Sequence, residues 1–376
     1  MKNKLHDNNI LNHHILKGRD LKGRLLILAR WVGLGILTGL VVGVAGSVLY
    51  HGVEDSAKLR AMHPWILFFL PLAGLAIVAM YRMLGVHKDK GTNLVIRSIQ
   101  DGEHLPFKMT PLIMISTLLT HLFGGSAGRE SAGLQIGGSL GYNIGLIFHL
   151  DESDLRIITM CGMSAAFAAL FGTPMTAAFF AMEIESVGVM YYASLVPCVL
   201  SALVASAVAG RLGIIPEVFA VRIVPTFSLN TALLTALLAV LCAFLSVFFC
   251  AFLHESGALY QRLFKNPYIR VAVGGALVIG VTYLTGSQLY NGASIPLIEM
   301  AFKGEAPYGA FALKMLLTAL TLGAGYKGGE IVPSLCVGAT FGCMVARLGG
   351  FDPALASAIG MGALFCGVTN CRSHLF

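Results

Sequence analysis

The 376-residue chain is 56% hydrophobic and 12% charged, with a formal net charge of +7 and a mean hydropathy of +0.77. Soluble domains carry about 25% charged residues, so this composition excludes an ordinary soluble domain and points to a lipid bilayer. It does not point to nucleic acid, because the basic residues gather in the tail and loops and form no basic face with interleaved aromatics.

In chain order, residues 1–24 form a basic tail with Lys2, Lys4, Lys17, Arg19, Lys22 and Arg24. An apolar run over 25–50 follows, broken only by Arg30. This asymmetry predicts a cytoplasmic N-terminus and insertion in the cell membrane. The run is longer than a signal-peptide core and lacks a clear cleavage site. It carries Gly35, Gly39 and Gly43 at four-residue spacing, a small-residue stripe for close helix packing. A second spanning helix is predicted over 64–84. Further apolar stretches lie near 109–123, 132–149, 155–171, 174–185, 191–213, 229–256, 269–286, 309–323, 331–347 and 354–369. Several are too short to cross about 30 Å of hydrocarbon alone. They suggest broken or re-entrant helices whose ends meet inside the protein, as in many secondary transporters.

The eight cysteines form no CxxC pair and lie mostly inside apolar runs, as small core residues do. His121 and His149 flank apolar helices and read as interfacial. No nucleophile–base pair, metal-ligand spacing or phosphate loop is present, so the sequence implies neither an enzyme nor a cofactor.

The feature that stands out is the stretch 124–138, which sets Arg129 and Glu130 inside a glycine-rich break between apolar segments. A carboxylate at that depth is costly and reads as functional. The glycines let the backbone unwind, and the free N–H groups of the next helix make an anion site. The carboxylate can occupy that site or yield it to another anion. The bland alternative is a structural carboxylate paired with Arg129.

An internal repeat supports this view. Gly124, Gly128, Gly137 and Gly141 match Gly325, Gly329, Gly338 and Gly342 at an offset of 201. The stretch 162–167 matches 360–365 at an offset of 198. Each half has a glycine break, a helix, a short loop and another helix, which places a site at the interface between halves. The domain reading is a tail at 1–24, a first membrane half at 25–213 and a second at 214–376. At the same offset Pro174 meets Arg372, four residues before the last. On this reading the second half lacks its last two or three helices, and a non-conducting truncated remnant is one alternative.

Gly128-Arg129-Glu130 followed by Gln135-Ile136-Gly137-Gly138 resembles the GREGP…QIGG signature of the CLC chloride channels and chloride/proton exchangers. Gly329-Glu330-Ile331-Val332-Pro333 resembles the GxFxP motif of that family, and Gly91-Thr92-Asn93 lies at its GSGIP loop. The resemblance implies an all-α polytopic membrane protein, an inverted repeat of short, tilted and re-entrant helices. It also implies a homodimer with one anion pathway per subunit. Glu130 matches the gating glutamate, and Gly128 and Arg129 flank it. Ile331 and Val332 match the second-half backbone that binds the central anion, and Gly91 matches the second glycine of GSGIP.

There are departures. Lys90 replaces the anion-binding serine, either facing the pore or snorkelling to the surface. Asn93 replaces the loop's proline, and Ser131 and Ala132 follow the gate in place of glycine and proline. The inner proton-relay glutamate falls at Ile184, with Glu183 one residue earlier. Glu330 reads as a proton stop, a partner of Lys327, or a feature of the fluoride-exporting branch, which shares the GGE pattern and lacks the serine. The resemblance therefore implies halide transport, chloride or fluoride, gated by Glu130, with Glu183 and Glu330 as proton-pathway candidates. An unrelated inverted-repeat transporter of small anions is a further alternative.

Overall fold

The computed structural model describes residues 21–86, 91–183, 190–221, 228–350 and 352–372. Lys90 and Ile184 lie outside these residues. The described part forms fourteen α-helices, numbered in chain order. In the first half these are α1 (Leu21–Met62), α2 (Leu70–Met83), α3 (Thr92–Asp101), α4 (Met109–Leu122), α5 (Glu130–Ile147), α6 (Glu152–Phe171), α7 (Pro174–Glu183) and α8 (Leu195–Arg211). In the second they are α9 (Leu229–Leu263), α10 (Pro267–Thr285), α11 (Ile295–Phe302), α12 (Ala310–Ala324), α13 (Ile331–Gly349) and α14 (Pro353–Arg372).

Among the described residues seven helical segments, Leu25–Met62 the longest, are long and apolar enough to cross a membrane. At 1.5 Å per residue, the ten residues of α7 reach only about 15 Å, half a hydrocarbon core. The helices are thus of two kinds, spanning and short, as the unequal apolar runs lead one to expect.

Local chemistry sets the boundaries. Asp151 caps α6 by accepting from the Asp154 N–H at 2.8 Å, and Ser228 caps α9 by accepting from the Thr231 N–H at 3.1 Å. Gly172 ends α6 at φ +69°, a left-handed conformation in which a side chain is strained. The structure adds three points to the expected elements. The first apolar run continues as helix to Met62, because the charged residues after Tyr50 are good helix formers. The expected second span is present as Pro64–Met83; its first turn, Pro64–Phe69, is 3-10 and runs into α2, where Pro71 lacks an N–H to donate. The helices α3 and α11 were hidden because both are short and α3 is largely polar.

Helix association in lipid relies on close packing rather than on escape from water, and glycine supplies it here. A Cβ on Gly39 would stand 2.7 Å from the Ser201 carbonyl oxygen, so the stripe seats α1 against α8. In the first half a Cβ on Gly137 would strike the Gly162 carbonyl, and one on Gly141 the Ile158 carbonyl. In the second half Gly338 and Gly342 meet the carbonyls of Gly360 and Ala356 in the same way. The repeat is therefore a repeated contact: α5 crosses α6 as α13 crosses α14.

Candidate functional site

The two glycine breaks meet. Gly128 donates to Gly329 at 2.8 Å and accepts from it at 2.7 Å, an isolated antiparallel bridge between the halves. Immediately after each bridging glycine the chain turns into a helix, α5 on one side and α13 on the other. Both helices point their N-termini at the same place. Their unpaired N–H groups and dipoles favour negative charge there.

The carboxylate of Glu130 fills that place. Glu130 is the first residue of α5 and is fully buried. Its Oε1 accepts from the Ile331 N–H at 2.7 Å, and the Val332 amide also acts on the carboxylate. Its Oε2 has no hydrogen-bond partner among the described residues. Gly128 and Gly329 lie against the two faces of the group, and a Cβ on either would overlap carboxylate oxygens. Neither glycine has a positive φ. Space, not backbone conformation, is what requires glycine at both. An ionised carboxylate is costly to bury without donors. Here it has one firm hydrogen bond and two helix ends, enough to hold it but short of full satisfaction.

Arg129 does not pair with Glu130. Its Nη2 lies 3.1 Å from Glu217 Oε1, and its guanidinium sits 4.2 Å from the centroid of the Tyr50 ring. The structural-pair alternative for Glu130 is therefore contradicted.

The break itself is held by a residue the sequence reading overlooks. Lys314, on α12, is fully buried. Its Nζ donates to Ser126 Oγ at 2.9 Å, Tyr290 O at 3.2 Å, Gly292 O at 2.6 Å and Ser294 Oγ at 2.8 Å. These neutral oxygens satisfy the ammonium and tie the first break to the second half. Asn291 adds a bond from Nδ2 to Gly124 O at 2.6 Å, and Thr321 Oγ1 accepts from the Ser126 N–H at 3.0 Å. The signal was present: Lys314 is the one charge in the apolar run 309–323, where a lysine reads as functional. His121 is buried too, with Nδ1 2.9 Å from Thr117 O. The interfacial reading of His121 is corrected, because α4 is covered on that side by α1, whose Arg60 donates to the His121 carbonyl.

Next to Glu130, at Ser131, lies a cavity of about 490 Å³ lined by Gly91, Thr92, Thr117, Ser131, Gln135 and Glu330, among others. Gly91 stands at the N-cap of α3 with φ +57°. Thr92 Oγ1 is 2.5 Å from Ser131 Oγ, and Gln135 Nε2 donates to Ser131 Oγ at 3.3 Å. Buried hydroxyls thus stand in the region where Lys90 was expected to contribute. A second cavity, about 1120 Å³, shares Tyr81, Leu322, Tyr326, Lys327 and Glu330 with the first. Arg82, Lys265 and Arg270 line it, so its charged lining is mostly basic. Lys327 lies at the junction, its ammonium 4.5 Å from the centroid of the Tyr81 ring. Glu330 lines both cavities, and Glu183 lines neither.

Residues 73–372 match the family described as voltage gated chloride channel. The chain belongs to this family. Among its curated relatives, a "Chloride/fluoride channel protein" of Pseudomonas syringae pv. tomato is 33% identical over 350 residues, covering 91% of this chain and 77% of that protein. An "H(+)/Cl(-) exchange transporter ClcA" of Vibrio cholerae is 27% identical over 372 residues, covering 88% and 77%. Among solved structures, a CLC-type fluoride/proton antiporter superposes with a TM-score of 0.87 at 28% identity, covering 91% of this chain and 87% of that one. A slow cyanobacterial Cl−/H+ antiporter gives 0.76 at 20% identity, with coverage of 89% and 85%, a likeness of fold. The chain is thus an all-α polytopic membrane protein with the voltage gated chloride channel fold.

Proposed function

We propose that this chain carries halide ions across the membrane through a pathway gated by Glu130. One observation carries the reading: a buried carboxylate occupies the meeting point of two helix N-termini, held by the Ile331 N–H and walled by Gly128 and Gly329. A carboxylate in an anion site is an intramolecular competitor for the transported anion. When Glu130 is protonated or displaced, the amides of Ile331 and Val332 become available to a halide.

Fluoride is the preferred ion in this reading. Fluoride is small and strongly hydrated, and hydroxyl and N–H donors replace its water better than apolar walls do. Thr92, Ser131 and Thr117 bring such hydroxyls to the cavity beside the gate. The solved structure of a CLC-type fluoride/proton antiporter superposes with a TM-score of 0.87, and the name of the Pseudomonas syringae relative gives both chloride and fluoride. Chloride is the second reading, favoured by the Vibrio cholerae relative. Proton coupling runs through Glu330, which lines both cavities. A homodimer with one pathway per subunit and a cytoplasmic N-terminus belong to the same proposal.

The test is ion flux from the purified chain in sealed liposomes. Fluoride efflux that outpaces chloride efflux and drives proton uptake is expected. Flux equal to that of empty liposomes for both halides overturns the reading.

A further inference from the structure

We propose that Glu217 sets how tightly an anion is held at the Glu130 site by neutralising Arg129; this rests on the anion-pathway reading above. Arg129 directly precedes Glu130, and its charge acts on that carboxylate. The Arg129 side chain is 7% exposed, whereas that of its partner Glu217 is 28% exposed. Solvent, Glu217, Arg129 and Glu130 therefore form a series in which Glu217 is the member that meets water.

Glu217 belongs to the segment 212–221 that leaves α8 toward the second half. This segment is anchored on three sides. Tyr50 Oη donates to Ile215 O at 3.1 Å, His51 Nε2 lies 2.9 Å from Leu212 O, and the Pro216 ring packs where Gly172 has no side chain. The backbone thus presents Glu217 to Arg129 in a fixed position. The other charged groups nearby are already engaged. Glu54 acts on Tyr50, but its Oε1 is 2.8 Å from Lys58 Nζ. The Lys314 ammonium is held by neutral oxygens.

An uncompensated guanidinium one residue from the gate would add a unit positive charge to the field of the site. At about 9 Å and an effective dielectric of about 40, between that of a protein surface and bulk water, a unit charge tightens anion binding by about five-fold. Tight binding slows release. Pairing Arg129 with Glu217 keeps the field moderate and the anion exchangeable. Glu217 is an affinity-setting residue that acts through Arg129 without touching the anion.

The experiment measures initial fluoride and chloride efflux against anion concentration, in liposomes, for the unaltered chain, Glu217→Gln, Glu217→Asp, Glu54→Gln and Glu130→Gln. The Glu130 carboxylate competes with the halide and feels the same field, so the Glu217 and Glu54 variants are compared in the Glu130→Gln background, where that competitor is gone. There Glu217→Gln is expected to lower KM about five-fold and to lower the maximal rate with it. Glu217→Asp should stay near the Glu130→Gln parent, and Glu54→Gln should leave its KM unchanged. An unchanged or raised KM in a monodisperse Glu217→Gln protein overturns the proposal. If the glutamine variant does not purify, Glu217→Ser takes its place: a lowered KM supports the proposal and an unchanged or raised one overturns it. Glu130→Gln separates the two readings. If it leaves flux unaltered, the anion pathway is wrong. If it alters flux while Glu217→Gln leaves KM alone, only the role of Glu217 is wrong.

Discussion

Gly128 and Gly329 exchange both of their backbone hydrogen bonds, at 2.8 and 2.7 Å, although they lie 201 positions apart. This bridge brings the two helix N-termini to one point and leaves a slot between two Cα atoms that is just wide enough for a carboxylate. The position of Glu130 follows from it.

The slot makes a steric prediction. Gly329→Ala places a methyl group where Glu130 Oε1 now lies. The carboxylate, as a mobile side chain, should leave the site. Halide flux in Gly329→Ala should then resemble that of Glu130→Gln, and the double variant should equal either single one. Additive effects on flux in this double-mutant cycle would count against the slot.

Glu130→Gln retains the shape of the protonated group and removes its charge. Flux should persist or rise, and its dependence on pH should flatten. Stability should change by less than about 1 kcal/mol, since a neutral amide is cheaper to bury than a carboxylate. Efflux at a series of pH values checks this.

Lys314→Met keeps the length of the side chain and removes the ammonium. Ser126 Oγ, Tyr290 O, Gly292 O and Ser294 Oγ lose a shared donor. Buried acceptors left without a donor cost about 1–3 kcal/mol each, partly recovered by repacking. A loss of about 2–4 kcal/mol is expected, read as a clear fall in Tm in detergent, together with a loss of flux because the first break is no longer tied down.

Two glycines of α14 should behave oppositely. Gly360→Ala drives a Cβ into the Gly338 carbonyl, at the α13–α14 crossing. It should lower Tm and reduce the yield of folded protein. A Cβ on Gly362 meets nothing within 4 Å. Gly362→Ala should be neutral or stabilising by up to about 1 kcal/mol, the difference in helix propensity.

Proton coupling offers the last contrast. Glu330→Gln should abolish proton movement driven by a fluoride gradient, while Glu183→Gln should leave it in place, because Glu330 lines both cavities and Glu183 neither. Coupling that survives Glu330→Gln in sealed liposomes would redirect the pathway.

The sequence by itself determined much of this protein. Apolar runs of unequal length declared a membrane chain with short helices, because hydrocarbon tolerates little else. The glycine spacing declared the repeat, because a Cβ at Gly137 or Gly338 would strike a carbonyl of the neighbouring helix whatever the rest of the fold did. Glu130 stood out because charge is rare at that depth. Such signals are local or periodic, so they survive in one dimension. What only the tertiary structure decided are partnerships between residues far apart in the chain. Arg129 reads from its sequence neighbour as the partner of Glu130, yet it turns to Glu217, 88 residues away, and stacks on Tyr50. Lys314 is the one charge in the apolar run 309–323, and its role shows only where four oxygens from two loops close around it. The hydroxyls of Thr92 and Ser131 lie 39 positions apart and meet because α3 and α5 begin at the same cavity. Burial makes each such partner necessary, because a polar group away from water must be satisfied. Which partner it receives is fixed by how the helices cross.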